Sequence, residues 1–248
     1  MNKEYIVQLN TLIADKVYKM VLSGDTSKIT NPGQFINIKI DESYQNFLRR
    51  PISIACYSHN EITIIYKIFG EGTLRLSEKK TGDILDILCP LGNGFTINTN
   101  AKKTLLIGGG CGVPPLLELA KQLNKNNLKF DVVIGFSSYQ DIFLEEEFKS
   151  LSNTTIVCTL DGSYGQKGNV LEVIKNKSMI FDYYYACGPE KMLHSLVKEG
   201  YNGQLSFEER MGCGFGACMG CSHKTIKSYK RICKEGPVLM SHEVYINE

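Results

Sequence analysis

The last forty residues of the chain contain a run of closely spaced cysteines. They form the pattern C-x4-C-x2-C-x11-C with Cys213, Cys218, Cys221 and Cys233. The first two intervals are those of plant-type [2Fe–2S] proteins. Glycines between the cysteines allow the backbone to wrap closely around sulfur atoms and to direct amide N–H groups at them. The pattern therefore predicts a [2Fe–2S] cluster with these four cysteines as ligands.

Two other uses of the cysteines stay open at this point. A structural zinc ion also accepts four cysteine ligands, and His223 follows closely enough to join them, although zinc sites usually combine two ligand pairs and Cys233 stands alone. Disulfides are disfavoured, because the chain has nine cysteines, an odd number, and no apolar signal segment after Met1. The expected location is a reducing cytoplasm.

A second group of motifs lies between residues 50 and 73. It comprises R-P-I-S (Arg50, Pro51, Ile52 and Ser53), I-Y-K (Ile65, Tyr66 and Lys67) and G-E-G-T, which contains Gly72 and Thr73. A helix that begins at Gly72 has free amide N–H groups in its first turn, and an arginine beside it can clamp a pyrophosphate. Taken alone, Arg49 and Arg50 also fit a solvated turn.

A third group of motifs is rich in glycine. G-G-G-C-G-V-P, with Gly108, Gly110 and Gly112, lies between a predicted strand and a predicted helix, the usual context of a dinucleotide-binding loop. A-C-G-P places Cys187, Gly188 and Pro189 at the carboxyl end of a strand, where open α/β sheets bind ligands. Cys187 either faces a nicotinamide ring or is a small buried residue. Residues 137–141 contain no lysine or arginine for a 2′-phosphate, which favours NAD over NADP.

The predicted elements divide the chain into three parts. Residues 1–99 alternate β-branched and aromatic residues between turns, a pattern typical of an antiparallel β-barrel. Residues 100–203 alternate strand and helix, which predicts a doubly wound parallel α/β domain. Residues 204–248 form a small module, too short to fold without a metal or a staple. The predicted fold class is therefore α+β and multidomain.

Composition excludes several classes of function. The chain has 248 residues, 43% of them hydrophobic, and a formal charge of +2. This charge is too small to attract nucleic acid or an anionic membrane, and no apolar run approaches the ~18 residues of a membrane-spanning helix. We therefore expect neither partner.

With these motifs in order, the sequence resembles the ferredoxin–NADP reductase superfamily over nearly its whole length, and within it the electron-transfer subunits of type B dihydroorotate dehydrogenases. The resemblance rests on R-P-I-S, G-E-G-T, G-G-G-C-G-V-P, A-C-G-P and E-E-R-M-G-C-G-F-G-A-C-M-G-C. It implies FAD on the residues named between 50 and 73, NAD on the α/β domain and iron on the four cysteines. In the wider superfamily a tyrosine precedes the serine of the flavin motif, where this chain has Ile52.

The resemblance also implies a partner and a pathway. The partner would be an FMN-containing catalytic subunit that oxidises dihydroorotate, in a heterotetramer with two copies of each subunit. Electrons would pass from FMN through [2Fe–2S] and FAD to NAD⁺, in pyrimidine biosynthesis. Two alternatives are a subunit of another ferredoxin:NAD(P) or sulfide-type oxidoreductase, and a zinc-stabilised binding module without redox activity.

Overall fold

The first part of the chain forms a closed antiparallel barrel. The computed structural model describes residues 2–41 and 46–246. The barrel strands follow the order β1-β2-β5-β4-β3-β6, and they are β1 (Asn2–Ala14), β2 (Val17–Ser23), β3 (Phe35–Ile38), β4 (Arg50–Ser58), β5 (Glu61–Lys67) and β6 (Ile84–Leu91). β-Branched side chains such as Ile36, Ile62 and Ile64 fill the interior and are fully buried. Helix α1 (Glu71–Ser77) connects β5 to β6.

The second part is a parallel sheet with helices. Its strands follow the order β10-β9-β8-β7-β11, continued beyond β11 by β12 (Gly203–Ser206) and β15 (Val238–Met240). The strands and helices up to residue 198 are β7 (Thr104–Gly109), α2 (Pro115–Lys125), β8 (Phe130–Phe136), α3 (Glu145–Leu151), β9 (Thr154–Thr159), β10 (Gln166–Lys167), α4 (Val170–Asn176), β11 (Tyr183–Cys187) and α5 (Glu190–Lys198). The strand–helix alternation expected from the sequence is confirmed. The carboxyl ends of β7 and β11 lie side by side, since Cys187 pairs with Gly108.

The C-terminal segment is joined to this sheet. Strand β12 (Gly203–Ser206) pairs in parallel with β11, and β15 (Val238–Met240) pairs with β12 in the antiparallel direction. Between them lie the cysteine loop and the hairpin of β13 (Ser222–Lys224) and β14 (Tyr229–Arg231). The expected boundary between residues 203 and 204 falls inside β12. The division into 1–99, 100–203 and 204–248 stays a prediction, and the last part shares its core with the second.

The barrel packs directly against the α/β sheet. Val17 and Ile65 of the barrel belong to the same buried cluster as Leu116 and Leu117 of α2. Phe95, which follows β6, meets Tyr185 of β11 edge to face with ring centroids 5.7 Å apart. A cleft lies between the barrel and the carboxyl ends of β7 and β11. Among the described residues, no helix is long and apolar enough to cross a membrane.

Candidate cofactor sites

A cleft opens on the barrel beside β4 and β5. We call it the barrel cleft. Its walls include most of the residues expected to hold a flavin, namely Arg50, Pro51, Ile52, Ser53, Ile65, Tyr66, Lys67 and Thr73. Other walls come from elements that the sequence did not connect with this site, among them Phe35, Phe69, Cys111, Phe207, Glu208 and Met211. The three phenylalanines supply aromatic surface that Ile52 lacks.

Arg50 and Gly72 meet at the start of α1, as the pyrophosphate hypothesis requires. A Cβ atom at Gly72 would lie 2.3 Å from Arg50 Nε, so a larger residue here would displace the guanidinium from the start of the helix. Arg50 Nη2 donates to Asn46 Oδ1 at 3.1 Å, and Nη1 donates to the carbonyl of Leu48. These bonds hold a cation against the first turn of the helix, where an anion is favoured.

Thr73 and Tyr66 shape the barrel cleft in ways the sequence did not show. Thr73 Oγ1 accepts from the amides of Phe69 and Gly70, at 2.9 and 3.3 Å, so this hydroxyl closes the loop before α1. Tyr66 Oη donates to Asn10 Oδ1 at 2.9 Å. Burial raises the pKa of the Tyr66 phenol, which therefore stays protonated.

Asn10 fixes the far end of α1. Its Nδ2 donates to the carbonyls of Leu76, Ser77 and Lys79 at 3.1, 3.1 and 2.9 Å, while its Oδ1 receives the Tyr66 hydroxyl. One side chain of β1 thus connects the cleft wall to the helix that carries Gly72. No sequence motif marks Asn10, because its role depends on the strand order of the barrel.

A second cleft, the glycine-loop cleft, lies between the barrel and the carboxyl ends of the parallel strands. Gly109, Gly110, Cys111 and Gly112 form one wall, and Gly188 and Pro189 form another. A Cβ at Gly112 would lie 2.3 Å from the carbonyl carbon and oxygen of Cys187, so glycine lets the two loops touch. Gly110, Gly112, Gly188 and Pro189 therefore lie where the sequence placed an NAD site.

Gly108 and Cys187, unlike the residues that follow them in sequence, do not line the glycine-loop cleft. Gly108 is the penultimate residue of β7 and packs under Val113, whose Cγ2 would lie 2.8 Å from an added Cβ. The Cys187 side chain is 1% exposed and lines neither of the two clefts. Burial raises the pKa of its thiol. Of the two interpretations of Cys187, the small buried residue fits its surroundings.

The two clefts share four wall residues, namely Lys67, Phe69, Cys111 and Glu208. Lys67 Nζ lies 2.7 Å from Asp141 Oδ1, across the boundary between barrel and α/β domain. Burial, and then the nearby Glu208, raise the pKa of Cys111 to about 11. Glu208 is exposed to the cleft. The surrounding walls nevertheless desolvate its carboxyl group, which raises its pKa. Uncharged Cys111 and exposed Phe69 thus form the meeting point of the clefts.

The four C-terminal cysteines come together in two pairs. Cys213 and Cys218 contact each other twice, because the backbone nitrogen of each lies 3.4 Å from the Sγ atom of the other. The amide of Cys233 lies 3.4 Å from the sulfur of Cys221. Burial, and then the adjacent Cys221 and Cys213 sulfurs, raise the pKa of Cys233 to about 12. The structure therefore brings Cys233, the most distant of the four in sequence, to the other three.

Backbone amides surround the sulfur of Cys213. Ala217 N and Cys218 N lie 3.2 and 3.4 Å from it. Burial favours the thiol, but hydrogen bonds from the amides of Cys218, Phe215 and Ala217 outweigh it and lower the pKa of Cys213 to about 6. Such a sulfur is prepared to bind metal as a thiolate. The amide arrangement expected from the interleaved glycines is present.

The spacing of the sulfurs favours a binuclear cluster over one zinc ion. The amide–sulfur contacts link the cysteines in two pairs, Cys213 with Cys218 and Cys221 with Cys233. Four thiolates on a single zinc ion, with Zn–S distances of about 2.3 Å, would all lie about 3.8 Å apart. Two pairs of sulfurs suit two iron atoms.

Asn37 is a further residue of this site that the sequence did not reveal. It lies on β3, is fully buried, and neither amide atom of its side chain has a hydrogen-bond partner among the described residues. Its Nδ2 would lie 2.4 Å from a Cβ at Gly214, which has φ +79°. A buried amide without a partner is costly. Its position against the cysteine loop fits a hydrogen bond to a sulfur of the cluster.

These features define a class of protein. A barrel with an arginine and glycine site for pyrophosphate, a parallel sheet with a glycine loop beside it and a cysteine loop for iron together describe a flavin-linked, NAD-dependent reductase subunit. Comparison with known proteins agrees. Residues 208–245 match the iron–sulfur cluster binding domain of dihydroorotate dehydrogenase B, and residues 106–198 match the oxidoreductase NAD-binding domain.

The chain belongs to the family of dihydroorotate dehydrogenase B (NAD(+)) electron transfer subunits. It is 45% identical to the subunit of Bacillus velezensis over 249 residues, which cover 96% of each chain. It is 44% identical to that of Bacillus pumilus over the whole of both chains. The family confirms the expected class, an oxidoreductase subunit whose cofactors are FAD, a [2Fe–2S] cluster and NAD.

Solved structures show the same architecture. The structure of an NADH-dependent reduced ferredoxin-NADP oxidoreductase, described for flavin-based electron bifurcation, aligns with a TM-score of 0.88 and 29% identity, and covers 97% of this chain and 89% of the other. A ferredoxin NADP+ reductase from Neisseria gonorrhoeae aligns with a TM-score of 0.69 and 17% identity, covering 79% and 89%. The latter shows the fold alone.

Proposed function

We propose that this chain transfers electrons from a dihydroorotate-oxidising partner subunit to NAD⁺. The observation that carries the proposal is the junction of the two clefts at Lys67, Phe69, Cys111 and Glu208. Ligands that fill both clefts would meet there. A flavin, when bound, exchanges hydride with NAD and single electrons with an iron–sulfur centre, which is the conversion such a subunit must perform.

Each cofactor has its own set of residues. Arg50, Gly72 and the strand residues Pro51 to Ser53 and Ile65 to Lys67 would hold FAD in the barrel cleft. Gly110, Gly112, Gly188 and Pro189 would hold NAD, with Gly108 and Cys187 supporting these loops from behind. Cys213, Cys218, Cys221 and Cys233 would hold [2Fe–2S], supported by the amides that point at their sulfurs.

The chain's own groups give these sites their selectivity. Residues 137–141 contain no lysine or arginine that could bind a 2′-phosphate, and the nearby Lys67 is already paired with Asp141. This arrangement supports NAD over NADP. Cys111, whose pKa burial raises to about 11, stays uncharged at the junction at neutral pH.

The partner would dock on the surface around the cysteine loop. Phe215 and Met219 are each 55% exposed there, and Cys218 is exposed beside them. Exposed apolar side chains next to a redox centre suit a protein interface, because electrons cross short distances between subunits. We propose an FMN-containing catalytic subunit as the partner and a heterotetramer as the assembly. All nine cysteines are free, which supports a reducing, cytoplasmic location.

A reconstituted complex tests this function. The chain is co-expressed with the catalytic subunit, and NADH formation from dihydroorotate is followed at neutral pH. Cys218→Ser should abolish this reaction but retain the NADH-driven reduction of a soluble dye, which needs only flavin. Cys56→Ser, a change at a cysteine outside the cluster, serves as the matched control. Dihydroorotate-linked NADH formation that survives in Cys218→Ser would contradict the proposal.

The ferredoxin:NAD(P) alternative has one observation in its favour, the similarity to the reduced ferredoxin-NADP oxidoreductase structure. Co-purification separates the two. An FMN-containing partner that oxidises dihydroorotate supports the main proposal, whereas a large iron–sulfur flavoprotein supports the alternative.

A further inference from the structure

A cluster of metal-binding side chains lies outside the cofactor sites, between α5 and the β13–β14 hairpin. One ligand atom from each of Glu190, His194 and His223 lies within 4.8 Å of the other two. Glu190 and His194 are one turn apart on α5, and His223 comes from β13. The cysteine pattern suggested that His223 joins the four cysteines, whereas the structure places it beside Glu190 and His194 of α5.

Both histidines of this cluster have a ring nitrogen without a partner. The Nε2 atoms of His194 and His223 are buried and have no hydrogen-bond partner within the part of the chain that the structure describes. His223 is 8% exposed. Leaving a buried polar atom without a partner is costly, so two of them in one place call for a shared ligand.

Glu209 determines which nitrogen of His223 is available. His223 Nδ1 lies 3.0 Å from Glu209 Oε1. A carboxylate only accepts hydrogen bonds, so Nδ1 carries the proton and donates it, and the lone pair of the neutral ring is on Nε2. A carboxylate behind a histidine is the usual support for a metal ligand. The Phe207 ring packs on both histidines, with centroid distances of 4.7 Å to His223 and 6.2 Å to His194.

We propose that Glu190, His194 and His223 bind a divalent metal ion that prefers imidazole and carboxylate ligands, Zn²⁺ above all. Two imidazoles and one carboxylate, with water at the fourth position, form a common zinc set. Glu190 Oε1 is 3.7 Å from His194 Nε2, and the Glu190 side chain is 64% exposed, so it can rotate to ligand distance. The ion would join α5 of the α/β domain to His223 of β13, which follows Cys221 by two residues. It would so hold the cysteine module against the sheet.

Zinc binding to the purified chain, with its iron and flavin in place, tests the proposal. After treatment with a chelator, Zn²⁺ alone is titrated anaerobically by calorimetry, and zinc and iron are then measured. We expect one zinc per chain, an unchanged iron content and a raised melting temperature. His194→Gln and Glu190→Gln should each weaken zinc binding by about tenfold or more, and Glu209→Gln by about tenfold. The surface change Glu190→Gln leaves the fold intact.

His59→Gln and His242→Gln are the matched controls, because both histidines are exposed and distant from the cluster in sequence. They should bind zinc like the unmodified chain. The proposal is overturned if the chain binds no zinc, if His194→Gln and Glu190→Gln bind it unchanged, or if zinc displaces iron, which would place it on the cysteines.

Discussion

Lys67 of the barrel and Asp141 of the α/β domain form an ion pair at the point where the two clefts meet. Their Nζ and Oδ1 atoms are 2.7 Å apart, and the side chains are 25% and 17% exposed. The hydrogen bond to Asp141 raises the pKa of Lys67. Burial opposes ionisation of Asp141, but Lys67 outweighs it and lowers the pKa of that carboxyl. The pair therefore stabilises the contact between the two domains while both groups are charged.

Asp141→Asn should lower the free energy of unfolding by about 1 kcal/mol at pH 7. Because the folded-state pKa of Asp141 is lowered, its contribution is present above the unfolded value of about 4 and is lost as pH falls through the lower folded value. Urea unfolding from pH 7 down to pH 3 measures this. The difference between the two proteins should stay constant to about pH 5 and shrink below about pH 4. A difference that grows in acid would contradict the ion pair.

Gly112→Ala should destabilise the chain and weaken NADH binding. The added Cβ meets the backbone of Cys187 and Gly188 at 2.3–2.4 Å, which a side-chain rotation cannot relieve. Overpacking of this kind typically costs about 1–3 kcal/mol. Gly70→Ala is the control, since Gly70 has open space around it and an extended backbone. Melting temperature and an NADH titration check both effects, and equal stability of the two variants would refute the loop contact.

Cys233→Ser should remove most of the iron. Cys233 is 2% exposed and its amide lies 3.4 Å from the Cys221 sulfur, so it belongs to the second sulfur pair. Iron analysis and the visible spectrum of the purified chain measure the loss. Cys158→Ser, at a buried cysteine in β9, controls for a change of a core thiol. A full iron content in Cys233→Ser would assign the fourth ligand elsewhere.

Asn37→Leu should make the reduction potential of the cluster more negative without unfolding the chain. A hydrogen bond to a cluster sulfur stabilises the reduced, more negatively charged state, and leucine of similar size cannot donate one. A redox titration followed by electron paramagnetic resonance gives the potential, and urea unfolding gives the stability. Asn98→Leu, at an asparagine distant from the cysteine loop, is the control. An unchanged potential in Asn37→Leu would show that the amide does not reach the sulfurs.

Phe69→Ala should impair the reaction while leaving the fold stable. Phe69 is 80% exposed and lines both clefts, so its ring contributes little to the core and much to the junction. We expect the KM for NADH to rise several-fold and flavin to be lost more readily. Phe47→Ala provides the comparison, because Phe47 is 77% exposed and lines neither cleft. Identical kinetics and flavin retention in the two variants would argue against a role for Phe69.

The sequence by itself determined the fold class and the kind of chemistry. The alternation of side-chain types in the first hundred residues is a local pattern, and so is the strand–helix order that follows. Each segment shows its pattern independently of the segments that pack against it. The spacing of Cys213, Cys218 and Cys221 is also local, because one loop must carry all three sulfurs. The arginine and glycine motifs could be placed because each lies at the beginning or end of a strand or at the beginning of a helix.

Only the tertiary structure decided which side chains complete these sites. The contacts of Asn10 and Asn37 depend on which strands are neighbours in the barrel. The spacing of residues along the chain does not show this strand order. Phe69 and Glu208 line both clefts where two domains meet, and Cys187, for which the motif left two interpretations open, is buried at the end of its strand. His194 and His223 are separated by 28 intervening residues and are brought together by the return of the chain to the sheet. Contacts between distant segments depend on packing, and packing cannot be deduced from one segment at a time.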